Sequence, residues 1–312
     1  MALFNCFRDY NHTFCTLDFR SLDSETFSIR RMLKLVALSS LLVLAAAKPQ
    51  VLPLPDAKLA DITFEKIEAK PAPEIVNNDA SYGNAVDFSV PTSPAIMTCL
   101  KKAKYQVVFV RGFAPAGAGS FDMNVVGSIR NAYSAGLGIE VYMTPQPSSN
   151  LQGYQQFDIL YNGLNNNAIT VRSVWIQVTS PANWLSNPTA NINFINSIIS
   201  RAKQYGLTVG IYTNQYDWSQ ITNNYNNLGS DILLWYWNVL GSGVNGETKA
   251  TFDDFRAFGS FKKASAKQYG QVESVCQIVV NRDVYAVGIP SAAKQLSAVP
   301  EGNIVVGGAV GH

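Results

Sequence analysis

Histidine is nearly missing from this chain of 312 residues: there are two, His12 near the start and His312 at the end. The body between them cannot run Ser-His-Asp or Cys-His catalysis, and it cannot hold a histidine-based zinc site. Charge is also scarce. Charged side chains make up 15% of the chain, 24 basic against 22 acidic, which leaves no basic stripe for nucleic acid. No strand-like run leads into a glycine-rich phosphate loop, because Gly112, Gly117 and Gly119 are spread too widely for a dinucleotide fingerprint. No cofactor or metal is implied. Any acid–base chemistry falls to carboxylates.

Long apolar runs are rare, and the main one is oddly placed. Residues 32–47 begin with Met32 and Lys34, continue through an apolar stretch and end on Ala45-Ala46-Ala47. That is the build of a secretory signal peptide. Met32 then reads as the working initiator, and residues 1–31 as an upstream leader of doubtful status. The alternative is a signal anchor, although the run is short for a bilayer. Export predicts an extracellular protein, or one of a gut lumen or lysosome-like compartment, with no membrane contact once the signal is gone. Of four cysteines, Cys99 and Cys276 stay with the exported part. An oxidising compartment suggests that they form one disulfide; two free core thiols are the alternative.

Residues 48–81 are rich in Pro, Lys, Glu and Asp and read as a linker or pro-segment. From Tyr82 short apolar runs alternate with helical patterns. Strands are expected at 84–90, 106–113, 138–145, 172–179, 207–213 and 230–237, with shorter ones at 264–270 and 275–285. Helices are expected from 93, over 123–135, 153–165 and 190–205. Residues 289–312 have no clear period and read as a flexible tail. The pattern predicts a single α/β domain over 82–288, an irregular TIM-like (β/α) barrel with sparse helices in its last third. An open parallel sheet is the rival.

In such a barrel the site lies at the C-terminal strand ends. Asp87 sits mid-strand between Val86 and Phe88, where an unpaired carboxylate is costly, so it is either paired or functional. Arg111 ends the second strand, ion-paired or solvated. Glu140 and Tyr142 share one face of the third strand. Gln177 and Thr179 end the fourth. Tyr212 lies on the fifth, with Asp217 in the loop beyond. Trp235 and Trp237 share a face of the sixth, and Asp283 closes the eighth. Carboxylates, amides and flat aromatic rings suit a carbohydrate. Core packing is the competing reading for each tryptophan.

The segments YGNAVDFSVPTS (82–93), VWIQVTSPANW (174–184), GLTVGIYTNQYDW (206–218) and LLWYWNV (233–239) resemble the family 25 glycoside hydrolase lysozymes, nearest to the secreted protist-type lysozymes of nematodes. The resemblance covers roughly 82–288. It implies a lysozyme-like protein that acts on bacterial peptidoglycan by muramidase-type hydrolysis of its glycan, in immune defence or bacterial digestion, and expected to be monomeric. It places the family's first-strand Asp on Asp87 and its last-strand Asp on Asp283. The family's Asp-x-Glu falls on Gln177 and Thr179, so both carboxylates are replaced. Glu140 and Asp217 are the candidates to supply the lost acid. Tyr142, Gln177, Thr179, Tyr212, Trp235 and Trp237 are the candidate sugar contacts. The alternative is a glycan-binding pseudoenzyme using the same cleft. In a closed barrel the first and last strands are neighbours, so Cys99 and Cys276 could meet, although they enter from different levels.

Overall fold

The computed structural model describes residues 82–287 and 302–310, Ala69, Pro71, Ala72 and two strands near the N-terminus. Those strands, β1 (Phe4–Asp9) and β2 (His12–Leu17), pair antiparallel within a unit spanning Met1–Ile62, and the second unit spans Thr63–His312. The expected signal segment at 32–47 lies outside the described residues, as does most of 48–81.

The second unit begins with β3 (Tyr82–Phe88) and α1 (Pro94–Lys102). Ser93 caps α1 by accepting from the Ile96 N–H, with Pro94 in the first turn. Then come β4 (Val107–Ala114), the short return strand β5 (Ser120–Phe121), α2 (Asn124–Ser134), β6 (Gly138–Met143) and α3 (Gly153–Asn165). Next are β7 (Ile169–Val171), β8 (Ser173–Gln177), α4 (Pro188–Gln204), β9 (Thr208–Thr213), α5 (Gln215–Thr222) and β10 (Leu233–Trp237). The last elements are β11 (Ala266–Val275), β12 (Ile278–Ala286) and β13 (Ile304–Val306).

Eight strands close a ring in the order β3, β4, β6, β8, β9, β10, β11, β12, and β12 returns to β3. This is a closed α/β barrel, not an open sheet. No α-helix separates β10 from β11 among the described residues, in keeping with the sparse last third. None of the described helices is long and apolar enough to cross a membrane.

Buried strands explain the apolar runs. The outward side chains join the helices in one apolar cluster, and the inward ones form a second inside the ring. Aromatics fill that interior. The ring of Trp235 lies 4.3 Å from Phe109 and 4.1 Å from Tyr212, centre to centre. Gly210 has no Cβ because one would collide with the ring of Trp175.

The structure departs from the sequence reading in four places. Asp217 lies in α5, not in a loop: Asn214 Oδ1 accepts from the Asp217 N–H at 2.7 Å and starts the helix. β12 runs antiparallel to both neighbours, so its early residues, and not its end, lie at the mouth. Residues 302–310 are not a free tail. β13 pairs with β7, and the Gly307 N–H bonds the Ile139 carbonyl at 2.7 Å. Part of 48–81 is held as well. The Ala69 N–H donates to Ser274 O at 2.8 Å, Arg282 Nη2 donates to Pro71 O at 2.9 Å, and Ala72 is buried.

Cys99 and Cys276 form a disulfide, with Cα atoms 5.8 Å apart. Cys276 sits in the turn between β11 and β12. Because β12 pairs with β3, that turn comes close to the helix that follows β3.

Candidate functional site

Asp87 and Asp283 occupy adjacent strands, β3 and β12, and both point into the ring. Asp87 is 4% exposed and Asp283 is fully buried. Asp87 Oδ1 accepts from Gln268 Nε2 at 2.6 Å, and its Oδ2 accepts from Asn281 Nδ2 at 2.9 Å. Asp283 Oδ1 accepts from Trp235 Nε1 at 2.8 Å. Tyr212 donates to Gln268 Oε1 at 2.8 Å, which orients the amide toward Asp87. Burial pushes the Asp87 carboxyl up to about 6 against the pull of these donors. Burial and the Asp87 charge hold Asp283 well above the usual carboxylate range. Both groups accept from neutral donors, and no cation balances them.

A cleft of about 610 Å³ opens above the ends of β4, β6 and β8. Arg111, Thr144, Gln177, Thr179 and Trp184 help to line it. Its centre is a directional chain of neutral hydrogen bonds. Thr144 Oγ1 donates to Gln177 Oε1 at 2.6 Å, and Gln177 Nε2 donates to Thr179 Oγ1 at 3.0 Å. The Thr179 hydroxyl proton is left to donate onward. Trp184 Nε1 bonds the Thr179 carbonyl at 3.0 Å and fixes that corner. Arg111 is held by Asp122, with Nε and Nη2 at 3.0 and 2.9 Å from Oδ2. Among the described residues no carboxylate lines this cleft.

The remaining candidates scatter, and several need correcting. Glu140 is completely buried near the start of β6. Its Oε2 accepts from Ser173 Oγ and Trp175 Nε1 at 2.6 and 2.9 Å. Its Oε1 accepts from the Ala309 and Val310 N–H groups at 2.7 and 3.0 Å. Burial raises its carboxyl despite these four donors. It ties the C-terminal segment to the barrel and cannot reach a substrate at the mouth. Trp235 has no exposed surface, so it cannot stack on a sugar. Tyr142 and Tyr212 are 6% exposed and belong to the same interior stack. Asp217 is buried too. Its Oδ2 accepts from Trp237 Nε1 at 3.0 Å, and it accepts from the Ser180 backbone. It is a strut between two loops, not a free acid. Trp237 is half-buried and lines a separate pocket.

Neither Gln268 nor Asn281 is among the site residues expected from the sequence, although both bond Asp87. Gln268 follows Ala266 at strand spacing in AKQYG, a polar residue on the inward face. Asn281 could be placed only once β12 was known to run antiparallel, where it pairs with Asp87 in the ladder. Among the described residues no group of three or more His, Cys, Asp or Glu could hold a metal ion.

The profile of the family described as Lysozyme-like protein 1 matches residues 78–269. Lysozyme-like protein 2 of Caenorhabditis elegans is 69% identical over 280 residues, covering 89% of this chain and 99% of that protein. Probable GH family 25 lysozyme 2 of Dictyostelium discoideum is 30% identical, covering 62% of this chain and 86% of that protein. The barrel is similar to that of the bacterial lysozyme from Streptomyces coelicolor, with a TM-score of 0.52, 19% identity and coverage of 69% of this chain and 95% of that one. With the family profile spanning most of the barrel and a relative matching almost end to end, the chain belongs to the Lysozyme-like protein 1 family, among the homologues of the family 25 lysozymes.

Proposed function

We propose that this protein is a lysozyme-type receptor for bacterial peptidoglycan, which it holds in the cleft above β8 without cutting it. One observation carries the reading: among the described residues the cleft is lined by hydroxyls, amides, an arginine and a tryptophan, and by no carboxylic acid. Gln177 and Thr179 stand where the resemblance to family 25 lysozymes places Asp-x-Glu. Hydrolysis of a glycosidic bond needs a group that protonates the leaving oxygen. An alcohol such as Thr179 is far too weak an acid, and losing a general acid forfeits roughly 10²–10⁴ in rate. The same residues suit binding. The Thr144–Gln177–Thr179 chain offers a donor to a sugar oxygen without burying a charge. The Cys99–Cys276 disulfide supports export to an oxidising compartment, either the extracellular space, a gut lumen or a lysosome-like organelle.

A second reading rests on the acid pair. With its carboxyl pushed up to about 6, Asp87 keeps a proton in mildly acidic surroundings and could pass it to a glycosidic oxygen, with Asp283 beside it.

The deciding experiment incubates the secreted protein with insoluble cell wall at pH 5 and pH 7, with Asp87→Asn in parallel. Retention on the wall is measured, and released muropeptides are sought by mass spectrometry. Retention without products is expected. Products from wild type but not from Asp87→Asn would favour the second reading. Failure to bind would remove the first.

A further inference from the structure

A second pocket lies beside the ends of β9 and β10 and reaches down to the outer side of the barrel wall. It has a volume of about 530 Å³ and shares no lining residue with the cleft, and its size is that of an ordinary small-ligand site. Its floor is Tyr236 and Phe258, both in the outer apolar cluster. Its sides come from α5 and from the loop that carries residues 252–258.

Trp237 is the starting point. The chain has five tryptophans, and Trp175, Trp184, Trp218 and Trp235 are buried. Trp237 alone is left half-open, and it opens into this pocket. Its indole N–H is taken by Asp217, so the ring is locked and presents a face. Tyr216, 65% exposed, stands on the same pocket. Leaving two large aromatics open to water forgoes burial, and a protein gains by it where a flat ligand covers them.

The polar groups around them are fixed as well. Asp254 Oδ2 accepts from Asn238 Nδ2 at 2.6 Å and from Lys267 Nζ at 2.7 Å, and its Oδ1 accepts from Tyr236 at 2.7 Å. The Lys267 side chain is completely buried and balances the carboxylate. Gln220 is exposed on α5 and brings a further amide. The pocket thus offers aromatic faces beside rigid, charge-balanced hydrogen-bonding groups. An anion would meet Asp254 as well as Arg256. A neutral pyranose matches better, with its C–H face on the rings and its hydroxyls on the amides and carboxylate.

Asp217 links this pocket to the cleft. It accepts from Trp237, which lines the pocket, and from the backbone of Ser180, which lines the cleft. One buried side chain therefore fixes both walls.

We propose that this outer pocket is a second saccharide-binding site, which holds another stretch of the glycan strand bound by the cleft. The choice of ligand class rests on the glycan reading of the cleft. Two linked sites on one polymer raise its retention well beyond either alone.

The probe is the trisaccharide of N-acetylglucosamine, titrated calorimetrically into the full-length secreted protein. Wild type should bind two molecules. Tyr216→Ala with Gln220→Ala, both exposed positions, should remove one event or weaken it at least tenfold, while thermal stability is kept. Thr144→Val should weaken only the other. A single event that ignores the Tyr216 and Gln220 changes overturns the proposal. A single event that depends on them, with none sensitive to Thr144→Val, overturns the cleft reading and leaves the pocket standing. No binding by any form overturns both.

Discussion

Asp87 on β3 and Asp283 on β12 meet inside the barrel with no cation between them among the described residues, both carboxyls raised above their usual range by burial and that of Asp283 further by the Asp87 charge. Two like charges in that setting are best satisfied by sharing one proton. Oδ2 of Asp283 has no other hydrogen-bond partner among the described residues, so it is open to that shared proton.

The pair makes stability depend on pH. The folded Asp87 carboxyl titrates at about 6, against 3.8 normally, so the folded state holds the proton more tightly than the unfolded one. Stability is then greatest below the unfolded value and falls as pH rises through the folded one. The expected loss from this group is on the order of 2–3 kcal/mol between about pH 4 and 7. Thermal midpoints of wild type should drop over that window, and those of Asp87→Asn should drop less. Equal slopes for the two would remove the shared proton from the account.

The cleft should accept restored carboxylates. Gln177→Asp with Thr179→Glu would place an acid in a site already lined for sugars. We expect release of reducing ends from cell wall at least tenfold above wild type, in line with the general-acid contribution. If the variant folds, keeps its affinity and releases nothing more, the missing acid is not what separates this protein from an enzyme.

Glu140 should behave as a structural residue. Glu140→Ala leaves two backbone N–H groups, the Ser173 hydroxyl and the Trp175 indole without their acceptor. A loss of about 3–5 kcal/mol in denaturant unfolding is expected for a broken buried network. Wall binding by the fraction that remains folded should be unchanged.

The disulfide spans 177 residues. Replacing Cys99 and Cys276 with alanine together should cost about 2–5 kcal/mol, and wild type in reductant should match the double variant in a melting experiment. A stable variant with an unchanged midpoint would mean that the barrel closes as firmly without the link.

The barrel was legible because its strands are short apolar runs separated by capped helices; Ser93-Pro94 announced α1 as plainly as any residue pair can. Asp87 stood out because a carboxylate between Val86 and Phe88 has to be explained. Trp235 and Glu140 misled for one shared reason. Strand alternation says that a side chain faces the inside of a barrel, but not at which height. Glu140 lies low, where the C-terminal segment covers it, and Trp235 lies in the middle. Height depends on the stagger between strands, which is a property of the closed ring. The pairing of Asn281 with Asp87 stayed hidden because β12 reverses direction, and the place of residues 302–310 because their partners, Val171 and Ile139, lie more than a hundred positions upstream.

That last contact has a consequence for how the protein is made. Ala309 and Val310 follow Glu140 by 169 and 170 positions, yet they supply two of its four donors. β12 must also travel back to β3 across almost the whole barrel sequence before the ring closes. Helix pairs such as α3 and α4 can form early in synthesis, but the barrel stays unfinished until β12 and residues 309–310 have emerged. Closure of the ring is therefore a late step governed by distant contacts, which are the slowest kind to find.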